Sequence, residues 1–492
     1  MIRLYPEDKH NEDLLKMLHP ADWKNPDPIG RYNLVVIGAG PAGLVAAAGA
    51  AGLGAKVALV ERHLMGGDCL NFGCVPSKAL LKAAHKAYDS GIKPDFSKVM
   101  ESMRQKRTGL AHHDSVDRFT ALGIDVFLGD GKFNGPSSLN VGGKTLNFHR
   151  AVIATGARAA LPPIVGLADA EPLINETLFC LTALPKRLII IGAGPIGCEM
   201  AQAFRRFGSE VTIIEMADRL VPIEDPEASA VLKEQFEKES IDLIFGAEIL
   251  RVDKGDDHKS VILKDGDSER IIVTDEILVA AGRRPNMEGL NLDVAGVEYH
   301  RRGVAVNDHL QTTNPKIYAA GDICSPYQFT HSADAMAKIV LQNALFFGRK
   351  KVSDLIMPWA TYTSPEVAHV GMSAQQAAEK GDEVIIMTAQ MSDIDRAILE
   401  EETAGFARAY VDRRTGHILG ATMTSSHAGE SISQMTLAIT SKLKMGAVGD
   451  TIHPYPIQAE IWKRLANEYR KQSFTPRIAK IFKIFLGLFS RG

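Results

Sequence analysis

The chain is poor in cysteine, in charge of one sign and in long apolar runs, and each scarcity removes a class of function. Five cysteines among 492 residues are too few for a disulfide scaffold. Lys plus Arg total 56 against 59 Asp plus Glu, a net charge of −3, so no basic excess points to a nucleic-acid partner. No apolar stretch approaches the ~18 residues of a membrane span. The opening residues, Met1 to Asp8, hold no apolar signal core, so the sequence reads as cytoplasmic, in a reducing compartment. Hydrophobic residues at 45% and charged residues at 23% exclude disordered and collagen-like chains. At ~150 residues per domain the length predicts about three domains.

What is present is an internal repeat. Leu34-Val35-Val36-Ile37-Gly38-Ala39-Gly40-Pro41-Ala42-Gly43 recurs as Leu188-Ile189-Ile190-Ile191-Gly192-Ala193-Gly194-Pro195-Ile196-Gly197. Each copy runs from an apolar stretch through Gly-x-Gly-x-x-Gly into a helical pattern, then into a second apolar stretch ending in an acid, Glu61 or Glu215. The first glycine permits a tight turn, the second lets backbone approach a pyrophosphate, and the third lets helix and strand pack closely. The helix N-terminus favours a phosphate, and the acid accepts from ribose hydroxyls. Two such units predict two bound dinucleotides. Residues 1–32, polar and carrying Pro20, Pro26 and Pro28, are expected to be a loosely docked extension with at most a short helix over 13–18.

After the first unit comes Gly66-Gly67-Asp68-Cys69-Leu70-Asn71-Phe72-Gly73-Cys74-Val75-Pro76-Ser77-Lys78. A metal site needs further ligands that no nearby His or Cys supplies, so no metal is expected. A redox pair beside a bound cofactor accounts for the location, because a thiolate near positive charge or a helix N-terminus has a lowered pKa. Cys180, Cys198 and Cys324 read as buried small residues.

This segment resembles the active-site signature of the class I pyridine nucleotide–disulfide oxidoreductases, the group of dihydrolipoamide dehydrogenase, glutathione reductase and mercuric reductase. Four further stretches are similar to family segments: Ala154-Thr155-Gly156; Ala281-Gly282-Arg283-Arg284-Pro285-Asn286; Ile317-Tyr318-Ala319-Ala320-Gly321-Asp322; and Tyr362-Thr363-Ser364-Pro365-Glu366-Val367-Ala368. The resemblance implies an α/β fold with two Rossmann-like dinucleotide-binding domains, for FAD and NAD, plus a C-terminal α+β dimerisation domain. Its boundaries would be an extension over 1–32, FAD domain over 33–182 and 313–357, NAD(P) domain over 183–312, interface domain over 358–475 and a basic tail over 476–492.

It further implies that Gly38, Gly40, Gly43 and Glu61 hold the ADP half of FAD, with Gly67, Asp68, Ala154, Thr155, Gly156, Gly282, Arg283 and Gly321 lining the cofactor sites and Asp322 on the ribityl chain. Gly192, Gly194, Gly197 and Glu215 would hold the nicotinamide nucleotide. Cys74 would be the thiolate against the flavin, Cys69 the interchange thiol, and Lys78 with Glu199 the ion pair beside the flavin's reactive nitrogen. Glu215 accepts from a free 2′-hydroxyl and repels a 2′-phosphate, so NADH is favoured over NADPH.

The pattern departs in the last domain. Disulfide-reducing members carry a His followed five residues later by a Glu; aligning Pro456 and Glu460 puts Tyr455 where that His belongs, and His453 stands two residues early. A phenol of pKa ~10 is a poor proton shuttle at neutral pH beside imidazole at ~6.5. Tyr at this place is similar to mercuric reductase and its homologues, which raises Hg(II), a soft cation taken by thiolates, as acceptor. The last cysteine is Cys324, so the C-terminal cysteine pair of those enzymes has no counterpart. The leading expectation is a homodimeric FAD enzyme moving electrons from NAD(P)H through Cys69–Cys74 to a thiol-reactive or metal-ion acceptor. The alternatives are a disulfide or dihydrolipoamide-type reductase using His453, a flavin-level quinone reductase, and a redox-regulated flavoprotein subunit without catalysis. In the tail, Arg477, Lys480, Lys483 and Arg491 make a basic stripe opposite apolar residues, which packs either on the enzyme's own dimer or at a membrane surface or partner.

Overall fold

Both apolar runs ahead of the glycine turns become central parallel strands. In the computed structural model, which describes residues 2–473 and 476–489, Arg31–Ile37 pairs with Val57–Glu61 from Leu34 against Val57 to Ile37 against Val60. The helix Pro41–Gly52 makes the crossover. Lys144–Ile153 lies on the other side of Arg31–Ile37, also parallel. Asp125–Leu128, Ile317–Ala319 and the antiparallel strands Gly131–Gly135 and Ser138–Val141 complete seven strands. Alternate residues of Arg31–Ile37 face opposite cores: Leu34 and Val36 pack with the helix Pro41–Gly52 and the helix Thr330–Leu345, while Val35 and Ile37 pack with Phe127, Phe133 and Phe148. Burial on both faces is why these strands are continuously apolar rather than alternating.

The second copy builds a four-stranded parallel sheet in the order Asp242–Ile244, Glu210–Ile214, Arg187–Ile191, Glu276–Val279, with Pro195–Phe207 as its crossover helix. Ile249–Lys254, Lys259–Asp265 and Ser268–Thr274 add an antiparallel meander. The connecting strands Ala157–Ala159 and Arg283–Pro285 pair antiparallel. The helix Cys74–Ser90 packs on Pro195–Phe207.

The chain divides into two compact units: residues 1–216 with 239–355, which hold both dinucleotide-type sheets, and residues 217–238 with 356–492. The second unit is a five-stranded antiparallel sheet in the order Pro358–Thr361, Glu366–Gly371, Ile418–Ser425, Phe406–Asp412, Val384–Gln390. The helices Ala428–Thr440 and Glu460–Ser473 share its core, where Trp462 is fully buried and its Nε1–H donates to Ser431 Oγ at 2.8 Å.

Two segments differ from expectation. The helix Pro226–Lys238, inside the stretch assigned to the nicotinamide domain, groups with the C-terminal sheet. Buried acids at its approach find partners there: Asp225 accepts from Arg408 at 2.8 Å and from Tyr410 at 2.9 Å, and Glu224 accepts from Trp359 Nε1 at 2.6 Å. Residues 2–32 are not a loose tail. They form the helix Lys9–Leu18, N-capped by Asp8, with Leu14 and Leu18 fully buried in the first core. Arg104 and Arg107, both buried, bind Asp8 and Asn11, so two cations that water would otherwise solvate secure this helix.

Candidate active site

The glycine turns are steric necessities. Gly38 adopts φ +102°, and a Cβ there would sit 2.4 Å from the Ala154 carbonyl oxygen. A Cβ at Gly43 would lie 1.8 Å from the Gly38 carbonyl oxygen, so only glycine lets this helix back onto its own turn. The second glycine repeat has the same geometry: a Cβ at Gly197 would lie 2.0 Å from the Gly192 oxygen. Gly40 and Gly194 are the N-caps of their helices and provide no side-chain cap, which leaves first-turn N–H groups for a phosphate. Gly67 meets Gly40 so closely that a Cβ would stand 2.5 Å from the Gly40 Cα. At the ends of the second strands, Glu61 accepts from the Ala39 N–H and Glu215 from the Ala193 N–H, each at 2.6 Å. Glu61 also accepts from the His63 N–H at 2.7 Å; burial pushes its pKa up, against these backbone bonds. A glycine-walled cradle at an uncapped helix end, with an acid at the neighbouring strand end, fits the ADP portion of a dinucleotide in both glycine repeats.

Cys69 lies in the short helix Gly67–Asn71, and Cys74 is the first residue of the 17-residue helix Cys74–Ser90. That position places Cys74 at a positive helix end. The neighbouring Cys69 thiol, the Thr330 hydroxyl at 3.5 Å and the charge of Lys78 outweigh burial and Asp68 to lower the Cys74 pKa to about 6, as an S–H of Cys69 turned toward a Cys74 thiolate does. The proximity of Cys74, with burial, raises that of Cys69. The pair is therefore asymmetric, with Cys74 the thiolate and Cys69 the proton holder. Lys78 follows Cys74 by four residues, one helical turn on the same face. Its Nζ donates to both oxygens of Glu199, at 3.0 and 2.8 Å, and joins the cysteine helix to the crossover helix of the second sheet.

Beside the pair, Arg283, Asp68 and Asp322 come together. Arg283 places its guanidinium 3.1 Å from Asp68 and 3.4 Å from Asp322, and it donates to the Ala157 carbonyl at 2.8 Å. Its buried Nε–H completes no hydrogen bond, and burial raises the Asp322 pKa against the pull of Arg283. A polar group bound between these side chains would satisfy both, as a ribityl chain does. Thr155 Oγ1 donates to the Asn286 carbonyl at 2.8 Å and Asn286 Nδ2 returns a bond to the Thr155 carbonyl at 2.9 Å, which closes Ala154–Gly156 onto the Gly282–Asn286 segment. Gly156, Gly282 and Gly321 all take positive φ at these turns.

Four contributors were not expected. Thr330, the first residue of the helix Thr330–Leu345, reaches Cys74, while its neighbour His331 is exposed and stacked on Phe329 with centroids 5.3 Å apart. Asn175 donates to Asp68 at 2.7 Å, and nothing local in the sequence marks it. Arg107 donates to the Asn71 carbonyl at 2.9 Å and to Asn11 at 2.5 Å, so the N-terminal helix braces the loop between the cysteines. In the second unit, Asp395 accepts from the Tyr455 hydroxyl at 2.7 Å.

Tyr455, His453 and Glu460 belong to that second unit. Tyr455 is 69% exposed, and its bond to Asp395 raises the phenol pKa. His453 Nδ1–H donates to the Thr451 carbonyl at 3.1 Å, and Nε2 lies 2.8 Å from the Gln434 amide nitrogen, so both ring nitrogens are engaged. Glu460 opens the helix Glu460–Ser473. Gln458, five residues after His453, is buried and donates toward Glu400, Glu402 and Ser426. Of the other cysteines, Cys198 is fully buried, while Cys180 and Cys324 are half-buried rather than sealed.

Comparison with known proteins agrees with this geometry. The pyridine nucleotide-disulphide oxidoreductase family matches residues 32–337, and the dimerisation domain of that family matches 357–466. A mercuric reductase of Bacillus cereus is 36% identical over 441 residues, 87% of this chain and 70% of that protein. A dihydrolipoyl dehydrogenase of Thermus scotoductus is 34% identical over 456 residues, 90% of this chain and 98% of that protein. The HOCl-induced flavoprotein disulfide reductase RclA from Escherichia coli superposes with a TM-score of 0.81 at 29% identity, covering 89% of this chain and 99% of that one. The chain belongs to the class I pyridine nucleotide–disulphide oxidoreductases, FAD-dependent enzymes of the group that includes mercuric reductases and dihydrolipoyl dehydrogenases.

Proposed function

We propose that this chain works as a homodimer that takes electrons from NADH and delivers them through Cys69 and Cys74 to a soft, thiol-reactive acceptor, with Hg(II) as the leading substrate. The observation that carries this reading is the placement of Cys74 at the start of the helix Cys74–Ser90, with the Thr330 hydroxyl 3.5 Å away and Lys78 one turn on, surroundings that favour its thiolate over that of Cys69. Bound FAD supplies the two-electron relay between the nicotinamide nucleotide and this pair. Gly38, Gly40, Gly43, Gly67, Glu61 and Asp322 are the residues that would hold it, and Gly192, Gly194, Gly197 and Glu215 would hold the nucleotide.

Reduction of a Cys69–Cys74 disulfide takes two electrons and leaves one proton on Cys69, with Cys74 ionised and stabilised by Lys78 and Thr330. A soft cation then displaces the Cys69 proton and is held between two sulfurs, a gain no hard ligand matches. The two sulfurs give up two electrons to Hg(II), both S–Hg bonds break as Hg(0) leaves, and the Cys69–Cys74 bond re-forms. Tyr455, in the dimerisation domain, supplies a hydroxyl anchored by Asp395 instead of an imidazole, which disfavours ordinary disulfide exchange because the leaving thiolate lacks its usual acid. Preference for NADH rests on Glu215, with Met216 next to it 84% exposed and uncharged.

The test is an NADH-oxidation screen on the FAD-loaded protein and its Cys69→Ala variant, with Hg(II), small disulfides, persulfides and quinones as acceptors. Hg(II)-dependent turnover that Cys69→Ala loses is the expected result. Turnover with quinones alone, retained by Cys69→Ala, places the chemistry at the flavin. Disulfide turnover lost in His453→Ala overturns the acceptor assignment. NADH that leaves the flavin oxidised removes the enzyme reading altogether. Faster turnover with NADPH refutes the cofactor preference, and a fully active monomer in sedimentation refutes the dimer.

A further inference from the structure

The helix Pro476–Phe489 carries no Asp or Glu and leaves most of its apolar side chains exposed. Proline stands at its first position, where the missing N–H costs nothing, so the sequence starts a new helix after Glu460–Ser473 instead of extending it. Ile481 is 65% exposed, Ile484 60%, Phe485 55%, Leu486 63%, Leu488 70% and Phe489 75%. Phe485 and Phe489, one turn apart, meet edge-to-face with centroids 5.1 Å apart. At about 100° per residue, Lys480 and Lys483 lie within about 60° of each other, with Gly487 between them, opposite Ile481, Phe485, Leu488 and Phe489. The Arg477 side chain and Arg491, expected on the same basic stripe, lie outside the described residues.

Charge distinguishes the possible occupants of this apolar face. Other exposed helices pair their cations with acids a turn away, as in Lys233–Glu237, Lys238–Glu234, Arg396–Glu400 and Lys471–Glu468. No Asp or Glu follows Glu468 in the sequence. A helix whose apolar face packs on a second copy of the chain turns its polar face to water and gains nothing from a stripe of one sign. A helix lying in an anionic bilayer uses both faces at once, the apolar one below the headgroups and the basic one among them. The length also fits. Fourteen residues make about 21 Å of helix, short of the ~30 Å hydrocarbon core. No helix among the described residues is long and apolar enough to cross a membrane.

We propose that Pro476–Phe489 is an interfacial anchor that lays this enzyme on the surface of an anionic phospholipid bilayer. Two lysines and one short helix give reversible attachment, sensitive to salt because the Debye length contracts to about 3 Å at 1 M.

The test uses the FAD-loaded full chain, a chain ending at Thr475, and a Lys480→Gln/Lys483→Gln variant. Each is floated with vesicles of phosphatidylcholine alone and of phosphatidylcholine mixed with phosphatidylglycerol. The full chain is expected to float with the anionic vesicles and to be released by high salt. The shortened chain is expected to stay in solution, and the glutamine variant to partition roughly 30-fold more weakly. An Ile481→Asp/Phe485→Asp variant, which leaves every basic residue in place, should also stay in solution. Equal flotation of full and shortened chains, or of neither, overturns the proposal. So does a shortened chain that fails to float but also loses its oligomeric state in sedimentation, which assigns the face to a second copy. Capture of the full chain only by another protein, without vesicle binding, overturns it as well.

Discussion

Removing Cys69 as a hydrogen-bond donor should change the charge of Cys74 rather than merely delete one thiol. In the native reduced pair the Cys74 pKa is about 6, so about 90% is thiolate at pH 7. The S–H bond from Cys69 is the largest of the lowering influences; Thr330 and Lys78 follow it. A hydrogen bond to a charged acceptor contributes about 1.5–3 kcal/mol and one pKa unit corresponds to about 1.4 kcal/mol, so Cys69→Ala should move the Cys74 pKa to between about 7 and 8. The thiolate fraction at pH 7 then falls to between about 10% and 50%. The direction follows from the ionisation: thiolate is lost as pH falls through the pKa, and the variant loses it earlier on acidification. The assay is iodoacetamide alkylation of the reduced, FAD-loaded protein from acid to alkaline pH, with Cys74 followed by peptide mass spectrometry. The midpoint is the readout, because a thiolate of higher pKa is also intrinsically more nucleophilic and partly offsets the change in rate. A native midpoint in the ordinary thiol range, an unchanged midpoint in Cys69→Ala, or native alkylation falling first on Cys69 at pH 7 would refute the assigned polarity.

Cys74→Ala should remove the long-wavelength thiolate–flavin absorption while FAD stays bound, whereas Cys69→Ala should keep that band above its raised midpoint and lose turnover; the opposite spectra would exchange the two roles. Lys78→Met leaves the Glu199 carboxylate, its side chain 6% exposed, without this cation; because Lys78 is 40% exposed the loss is screened to about 1–3 kcal/mol, and adding Glu199→Gln should recover most of it in thermal melts. Gly43→Ala, with its Cβ 1.8 Å from the Gly38 oxygen, should cost at least about 3 kcal/mol and abolish FAD retention, while Gly52→Ala at the far end of that helix, where a Cβ meets nothing within 4 Å, should leave both intact. Tyr455→Phe should lower kcat more than His453→Ala does, since His453 already spends both ring nitrogens on Thr451 and Gln434; a crippled His453→Ala would return disulfide reduction as the leading activity.

Much of the site was written locally. Gly38, Gly40, Gly43 and Glu61, and their counterparts Gly192, Gly194, Gly197 and Glu215, could be read in order because a strand, a turn and a helix N-terminus are specified within some thirty consecutive residues, by which positions can bear a Cβ and which cannot. Cys74 and Lys78 were legible for the same reason, since helical spacing alone puts them on one face. What escaped depends on segments far apart in the chain. Thr330 meets Cys74 across 256 residues, and Asn175 meets Asp68 across 107. Residues 1–32, polar enough to read as a tail, are held because Arg104 and Arg107 are buried and must find Asp8 and Asn11. The helix Pro226–Lys238 joins the C-terminal sheet because Glu224 and Asp225 find their donors there. Periodicity and turn chemistry act over a few residues and can be read from order alone. The choice of which polar group satisfies which is made only when the packed core excludes water, and that choice belongs to the tertiary structure.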